Sequence, residues 1–142
     1  MTVVVAQGTF DLLHTGHLHY LSEAATHGDE LVVIIARQDN ITHKPAPILP
    51  AEQRRELVEA FEVVDRAMLG DRDDIFLPIE RLNPDVIVLG HDQHHEEQAI
   101  NAELRDRGIS ADVVRVSERE PVIPGEILST SAMIERILVQ RG

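Results

Sequence analysis

The sequence contains no cysteine and no tryptophan, and its aromatics are one tyrosine and three phenylalanines. Without cysteine there is no disulfide framework and no thiolate metal site. Lysine is nearly absent: Lys44 stands alone against twelve arginines. Long hydrophobic runs are also missing. The apolar run from Leu31 to Ala36 falls far short of the roughly 18 to 20 residues that cross a bilayer. Met1-Thr2 leads straight into apolar residues, without the charged leader of a signal peptide. The expectation is a soluble, cytoplasmic protein. Positive charge is in deficit too, with 25 acidic against 13 basic residues and a net charge of −12. A field of that sign repels a nucleic-acid backbone and an anionic lipid surface. No nucleic-acid or membrane partner is therefore expected, and any anionic substrate must be held by a local patch.

A chain of 142 residues that is 43% hydrophobic suits one domain, 1–142, with a real core. Apolar runs at 3–7, 30–36, within 63–69, at 85–89 and at 112–116 predict five strands. Runs that are apolar throughout are buried on both faces, as in a parallel sheet. Helical patterns fall between them, at 16–26, 50–62, 73–82 and 94–107, with a last one opening at Ser129. Met133, Ile134, Ile137 and Leu138 give that last helix an apolar face. This alternation predicts an α/β fold with a doubly wound parallel sheet. Ligands of such sheets bind beyond the carboxyl ends of the strands.

The rest of the chain is organised around Gly8-Thr9-Phe10-Asp11-Leu12-Leu13-His14-Thr15-Gly16-His17, a turn from the first strand into the first helix. A helix start offers unpaired N–H groups and the positive end of the helix dipole to an anion. Gly8 and Gly16 let a ligand approach the backbone. His14 and His17 can donate hydrogen bonds to charge that builds on a transferring phosphoryl group. Two further polar clusters, Gly90 to Gln93 and Ser129-Thr130-Ser131, also fall at a strand end or helix start. Convergence of all three on one crevice is expected.

Other candidates carry two readings each. Lys44, in a proline-rich loop of a dozen residues, is either a solvated charge or a mobile cation that closes over phosphates. Arg54 is either an ion-pair partner of Glu52 or Glu56, or a phosphate contact. Asp92 is a turn residue, or it accepts from a sugar or base or holds a metal. Ser129, Thr130 and Ser131 cap a helix and can also seat a phosphate. Arg119 is solvated or binds the ligand. His91, His94 and His95 invite a metal, but their spacing suits no standard zinc pattern, so no protein-held metal is expected.

At these residues the chain resembles the cytidylyltransferase-like nucleotidyltransferases, a Rossmann-like superfamily with a His-x-Gly-His motif, here His14-Thr15-Gly16-His17. Ser129-Thr130-Ser131 is similar to the family's second signature, and Lys44, Arg54 and Gly90-His91-Asp92 match intervening features. Among the short single-domain members, the acidic composition and the run from Lys44 to Gln53 look most like the archaeal FAD synthases. Bacterial glycerol-3-phosphate cytidylyltransferase is the alternative. The Arg-Thr-x-Gly run of the cytidylyltransferases is absent, and a longer segment separates Arg119 from Ser129.

The resemblance implies transfer of AMP from ATP to FMN, with CTP and a small phosphate acceptor as the rival pair. It implies His14, His17 and Lys44 as catalytic residues. The nucleotide would be bound by Gly8, Thr9, Phe10, Thr15, Gly16, Gly90, Asp92, Arg119, Ser129, Thr130 and Ser131, with Arg54 as a weaker phosphate contact. Mg²⁺ or another divalent cation would be held mainly by substrate phosphates, and the protein would be a homodimer.

Overall fold

The computed structural model describes residues 1–42, 44–93 and 96–142. His43, His94 and His95 lie outside the described residues, and the metal reading of the two latter histidines with them. Five strands form one parallel sheet: β1 (Val3–Gly8), β2 (Glu30–Ile35), β3 (Arg66–Leu69), β4 (Val86–Leu89) and β5 (Asp112–Arg115). The strand order is β3-β2-β1-β4-β5. The helices are α1 (Thr15–Ala25), α2 (Ala51–Glu59), α3 (Leu77–Leu82), α4 (Glu97–Asp106) and α5 (Thr130–Arg141). The expected doubly wound α/β architecture is present. None of the described helices is long and apolar enough to cross a membrane.

Period-two alternation along the strands divides the core into two layers. Val4 and Ala6 pack on one face with Leu21 and Ala24 of α1 and Val58 of α2. Val5, Ile34 and Ile87 pack on the other with Ile79 of α3 and Ile100 and Leu104 of α4. Burying each such aliphatic side chain stabilises the fold by about 1.5–3 kcal/mol. The chain starts at β1, winds outward through β2 and β3, then returns to lay β4 on β1's other side. The reversal puts the topological switch between β1 and β4, where a crevice opens.

Four helices differ from expectation, α4 by opening at Glu97 behind an N-cap at Glu96 rather than at 94. α3 starts at Leu77 rather than 73. The Asp71 carboxylate accepts from the N–H groups of Asp73 and Asp74, each at 3.0 Å, and Asp74 accepts from Phe76 N–H at 3.0 Å. These local side-chain turns compete with helix formation. α2 stops at Glu59, whose carboxylate reaches forward to the N–H of Ala67 on β3 at 2.9 Å. α5 carries its apolar stripe as expected, but no residue of it is buried: Met133 and Ile134 are half-buried, and Ile137, Leu138 and Val139 are exposed.

Candidate active site

The β1–β4 ladder ends at the Ala6–Val88 pair. Beyond it the strands part, and two side chains fill the gap. The Tyr20 hydroxyl donates to Val88 O at 2.6 Å and accepts from Gln7 N–H at 3.2 Å. Gln93 donates from Nε2 to Gln7 O at 2.6 Å and accepts Gly90 N–H on Oε1 at 2.9 Å. Tyr20 is absent from the sequence candidates, and Gln93 enters them only as the end of the Gly90 to Gln93 cluster. Tyr20 offered a signal, as the sole tyrosine on an apolar helix face; Gln93 offered none beyond its place after a strand.

The loop leaving β1 is strained. Phe10 and Leu12 hold φ of 54° and 46°, at a cost of roughly 1–3 kcal/mol each for residues with a side chain. Surrounding contacts impose that shape. The buried Phe10 ring stacks on Tyr20 with centroids 6.0 Å apart and tilts against His17 at 5.5 Å. The buried Asp11 carboxylate accepts from Ile48 N–H at 2.7 Å and Leu49 N–H at 3.0 Å, which ties the lysine loop to the turn. Thr130 donates its hydroxyl to Asp11 O at 2.7 Å, which brings α5 to the same point. Asp11 thus joins all three segments. In the sequence it is one residue of the motif, with no signal of this role.

Arg54 is not at the surface of the site. It is fully buried. It donates from Nε to Leu49 O at 3.0 Å, and from Nη1 to Thr9 O at 2.8 Å and Ala36 O at 2.9 Å. Those three carbonyls belong to the lysine loop, the turn after β1 and the end of β2. Against the phosphate-contact reading, Arg54 stands as an internal strut, and its buried Nη2 has no partner among the described residues. The ion-pair reading belongs to its neighbour: Arg55 pairs with Glu52 and Glu59, each at 3.2 Å.

His14 and His17 build a capping box from imidazoles. His14 is the N-cap of α1, and its Nδ1 accepts from Gly16 N–H at 3.0 Å. His17 is the third helical residue, and its Nδ1 accepts from His14 N–H at 3.2 Å. The box usually pairs a short hydroxyl with Glu or Gln. With both Nδ1 atoms accepting, each neutral ring carries its proton on Nε2 and keeps that donor for a ligand. The rings lie 3.9 Å apart. Burial lowers the pKa of both. For His17 it falls to about 3, with the His14 and Lys44 charges adding to burial. For His14 the Asp92 carboxylate partly offsets burial. Neutral rings avoid mutual repulsion at this separation. Gly16 is required between them: a Cβ there would sit 2.8–2.9 Å from the His14 ring and 3.2 Å from Leu128 O.

A cavity of about 560 Å³ opens over the carboxyl ends of the strands, lined in part by Gly8, Thr9, Lys44, Asp92 and Gln93. Lys44 is a charge that acts on His17, and Asp92 one that acts on His14. Gly90 is buried at the end of β4, and His91 beside it is exposed.

The second signature arrives from α5. Ser129 caps the helix, accepting Ala132 N–H at 3.1 Å, and Ser131 is exposed. Arg119 reaches Glu126 at 2.9 Å, while its buried Nε has no partner among the described residues. Glu126 also accepts from the Thr15 hydroxyl and from Val122 N–H. Those two hydrogen bonds, with a smaller contribution from Arg119, hold its carboxyl at about 2. Glu126 therefore couples Arg119 to the start of α1, a role the sequence did not suggest. Among the described residues no group of three or more His, Cys, Asp and Glu side chains gathers as a metal site.

The cytidylyltransferase-like family profile matches residues 5–136. The FAD synthase of Halorubrum lacusprofundi is 61% identical over 100% of this chain and 93% of its own length. The FAD synthase of Ferroglobus placidus is 54% identical over 97% of this chain and 89% of its own length. A solved structure, that of the lipopolysaccharide core biosynthesis protein from Thermoplasma volcanium, superposes with a TM-score of 0.82 at 39% identity, covering 84% of this chain and 99% of the other. Pantoate-beta-alanine ligase from Francisella tularensis shares the fold, with a TM-score of 0.56 at 16% identity over 84% of this chain and 60% of its own.

Proposed function

The chain belongs to the cytidylyltransferase-like family, and from that premise we propose that it is a nucleotidyltransferase that makes FAD by moving AMP from ATP to FMN. Two relatives matched over 93% and 99% of their own length carry that name. The structural observation that carries the reading is the neutral imidazole pair at a helix start, beside a lysine and a crevice.

The chemistry is a displacement at phosphorus. A phosphate oxygen of FMN attacks the α-phosphorus of ATP. The new P–O bond forms as the α–β bridging bond breaks, and pyrophosphate leaves with that oxygen. The attacking phosphate is already an anion, so no general base is needed, and positioning with charge stabilisation supplies the rate. His14 and His17 donate Nε2–H to oxygens that gain charge. Lys44 neutralises the triphosphate from its loop. Gly8, Thr9 and Phe10 present backbone to the nucleotide, with Thr15 and Gly16 at the helix start. Ser129, Thr130 and Ser131 lie at the start of α5 and receive the outer phosphates. Asp92 and the buried Gly90 flank the nucleoside. Arg119 exchanges its Glu126 contact for a phosphate.

A divalent cation fits this donor set only as a phosphate-bound ion, since no protein cage is present among the described residues. Asp92, an exposed carboxylate that lines the cavity, would help hold such an ion, and the ion would supply charge neutralisation on the phosphates. The bare apolar face of α5, at Ile137, Leu138 and Val139, supports a homodimer. The net charge of −12 disfavours a nucleic-acid backbone or an anionic membrane surface as a partner.

The test crosses ATP and CTP with FMN and glycerol-3-phosphate and follows pyrophosphate release, in Mg²⁺ and molar salt. Release with ATP and FMN alone is the expected result. Release with CTP alone overturns the substrate assignment and favours the cytidylyltransferase alternative.

A further inference from the structure

We infer that Gly70 sets the depth of the acceptor pocket, and that the apolar wall around it holds the flat ring system of the acceptor. This inference rests on the FMN reading above and deepens it.

The cavity is lopsided. It runs from Asp92 and Gln93, after β4, across β1 and β2 to Gly70 and Asp71, after β3. With neighbouring strands about 4.8 Å apart, three inter-strand steps make it roughly 14 Å long. The histidine pair stands at the start of α1, which leaves from β1, so the reacting phosphorus belongs near the middle of that span. A product with a ring at each end of two phosphates then extends to both sides of β1. Asp92 takes the nucleoside side. The β2–β3 side is left for the acceptor.

Lining chemistry on that side suits a flat aromatic body with a polar edge. Ile34, Ala36, Ile41 and Ile75 supply apolar contact, and Asn40 and Asp71 supply polar groups. The Asn40 amide is fixed by donating to Arg72 O at 3.0 Å, which leaves its oxygen to accept. Arg37 donates to Gly70 O at 2.6 Å, so the floor and the lysine loop are joined. Glycerol phosphate would cover none of this wall. A planar tricycle would cover most of it.

Gly70 is where a side chain is missing. A Cβ there meets only Ile35 O at 3.5 Å and Ile34 Cγ2 at 3.6 Å, ordinary van der Waals distances, and its φ is not in the left-handed region. Backbone geometry therefore does not demand glycine. What the glycine does is keep the floor open.

The experiment compares wild type, Gly70→Ala, Gly70→Leu and Ile75→Glu. Ile75 is partly exposed at the cavity mouth, so its variant folds even if Gly70→Leu does not. FMN binding is read by flavin fluorescence without ATP, and KM is measured for each substrate. Gly70→Leu and Ile75→Glu should each weaken FMN binding and raise KM for FMN at least tenfold, Gly70→Ala less, with KM for ATP within twofold of wild type. Unchanged FMN affinity in folded variants overturns the inference, as does a rise in KM for ATP instead. Wild-type protein that neither binds FMN nor forms FAD overturns the underlying reading, which is a separate outcome.

Discussion

Converting His14 to Asn, or His17 to Gln, lowers kcat for FAD formation by roughly 10²–10³-fold with little loss of stability. The magnitude is that of removing one preorganised donor from developing phosphoryl charge. The choice of replacement matters. Asn still accepts at an N-cap, and Gln still accepts at the third helical position, so both variants keep the capping box, while the imidazole Nε2–H is replaced by an amide N–H held in a different place. The alanine variants lose the same activity and in addition about 1 kcal/mol of helix capping. Thermal melts beside single-turnover rates separate the two effects. If the alanine variants keep near wild-type kcat, the histidines are caps and nothing more. Because the two donors act on one group, the double variant should fall short of the product of the singles.

Arg54→Leu should be the most destabilising single change in this region, by about 3–5 kcal/mol in urea denaturation, because it strips a fully buried guanidinium from three partly buried carbonyls. That is a large share of the roughly 5–15 kcal/mol that a domain has in hand. Arg54→Lys should recover only part, since one ammonium cannot span three carbonyls as a planar guanidinium does. A loss under 1 kcal/mol contradicts the strut. The outcome also decides whether Arg54 acts on catalysis directly: as a strut it moves kcat only through the lysine loop and the turn after β1, so it should change KM for both substrates together.

The strands and their parallel arrangement were readable because the three inner ones are apolar runs buried on both faces, as at Leu31 to Ile35, while the edge strands β3 and β5 are shorter and partly exposed. The turn at Gly8 to His17 was readable as an anion site because helix starts have fixed electrostatics. Its shape was not, since φ values such as those of Phe10 and Leu12 come from tertiary contacts with Tyr20, Asp11 and Arg54 rather than from local preference. Arg54 itself looked like a surface residue, on a helix start rich in charge, and only the three carbonyls converging on it explain its burial. Helix boundaries failed where side chains competed for backbone donors, as Asp71 does ahead of α3. Glu126 and Gln93 bond to residues more than 80 positions away, and no local pattern carries that information.

Neutral imidazoles are what the proposed chemistry rests on, and pH gives them a signature. The folded pKa of His17 lies near 3, below its ordinary value of 6.5. Unfolded chains therefore bind a proton near pH 6.5 that the folded site refuses, and stability falls as pH drops from there toward 3. Between pH 5 and 8 the folded site keeps His17 neutral. The direct measurement is long-range ¹H–¹⁵N NMR of histidine-labelled protein across that range. The expected result is a His17 ring that stays neutral, with its proton on Nε2 throughout. Titration near pH 6.5, or a proton on Nδ1, contradicts the capping-box assignment and removes the Nε2 donor that the transfer step requires.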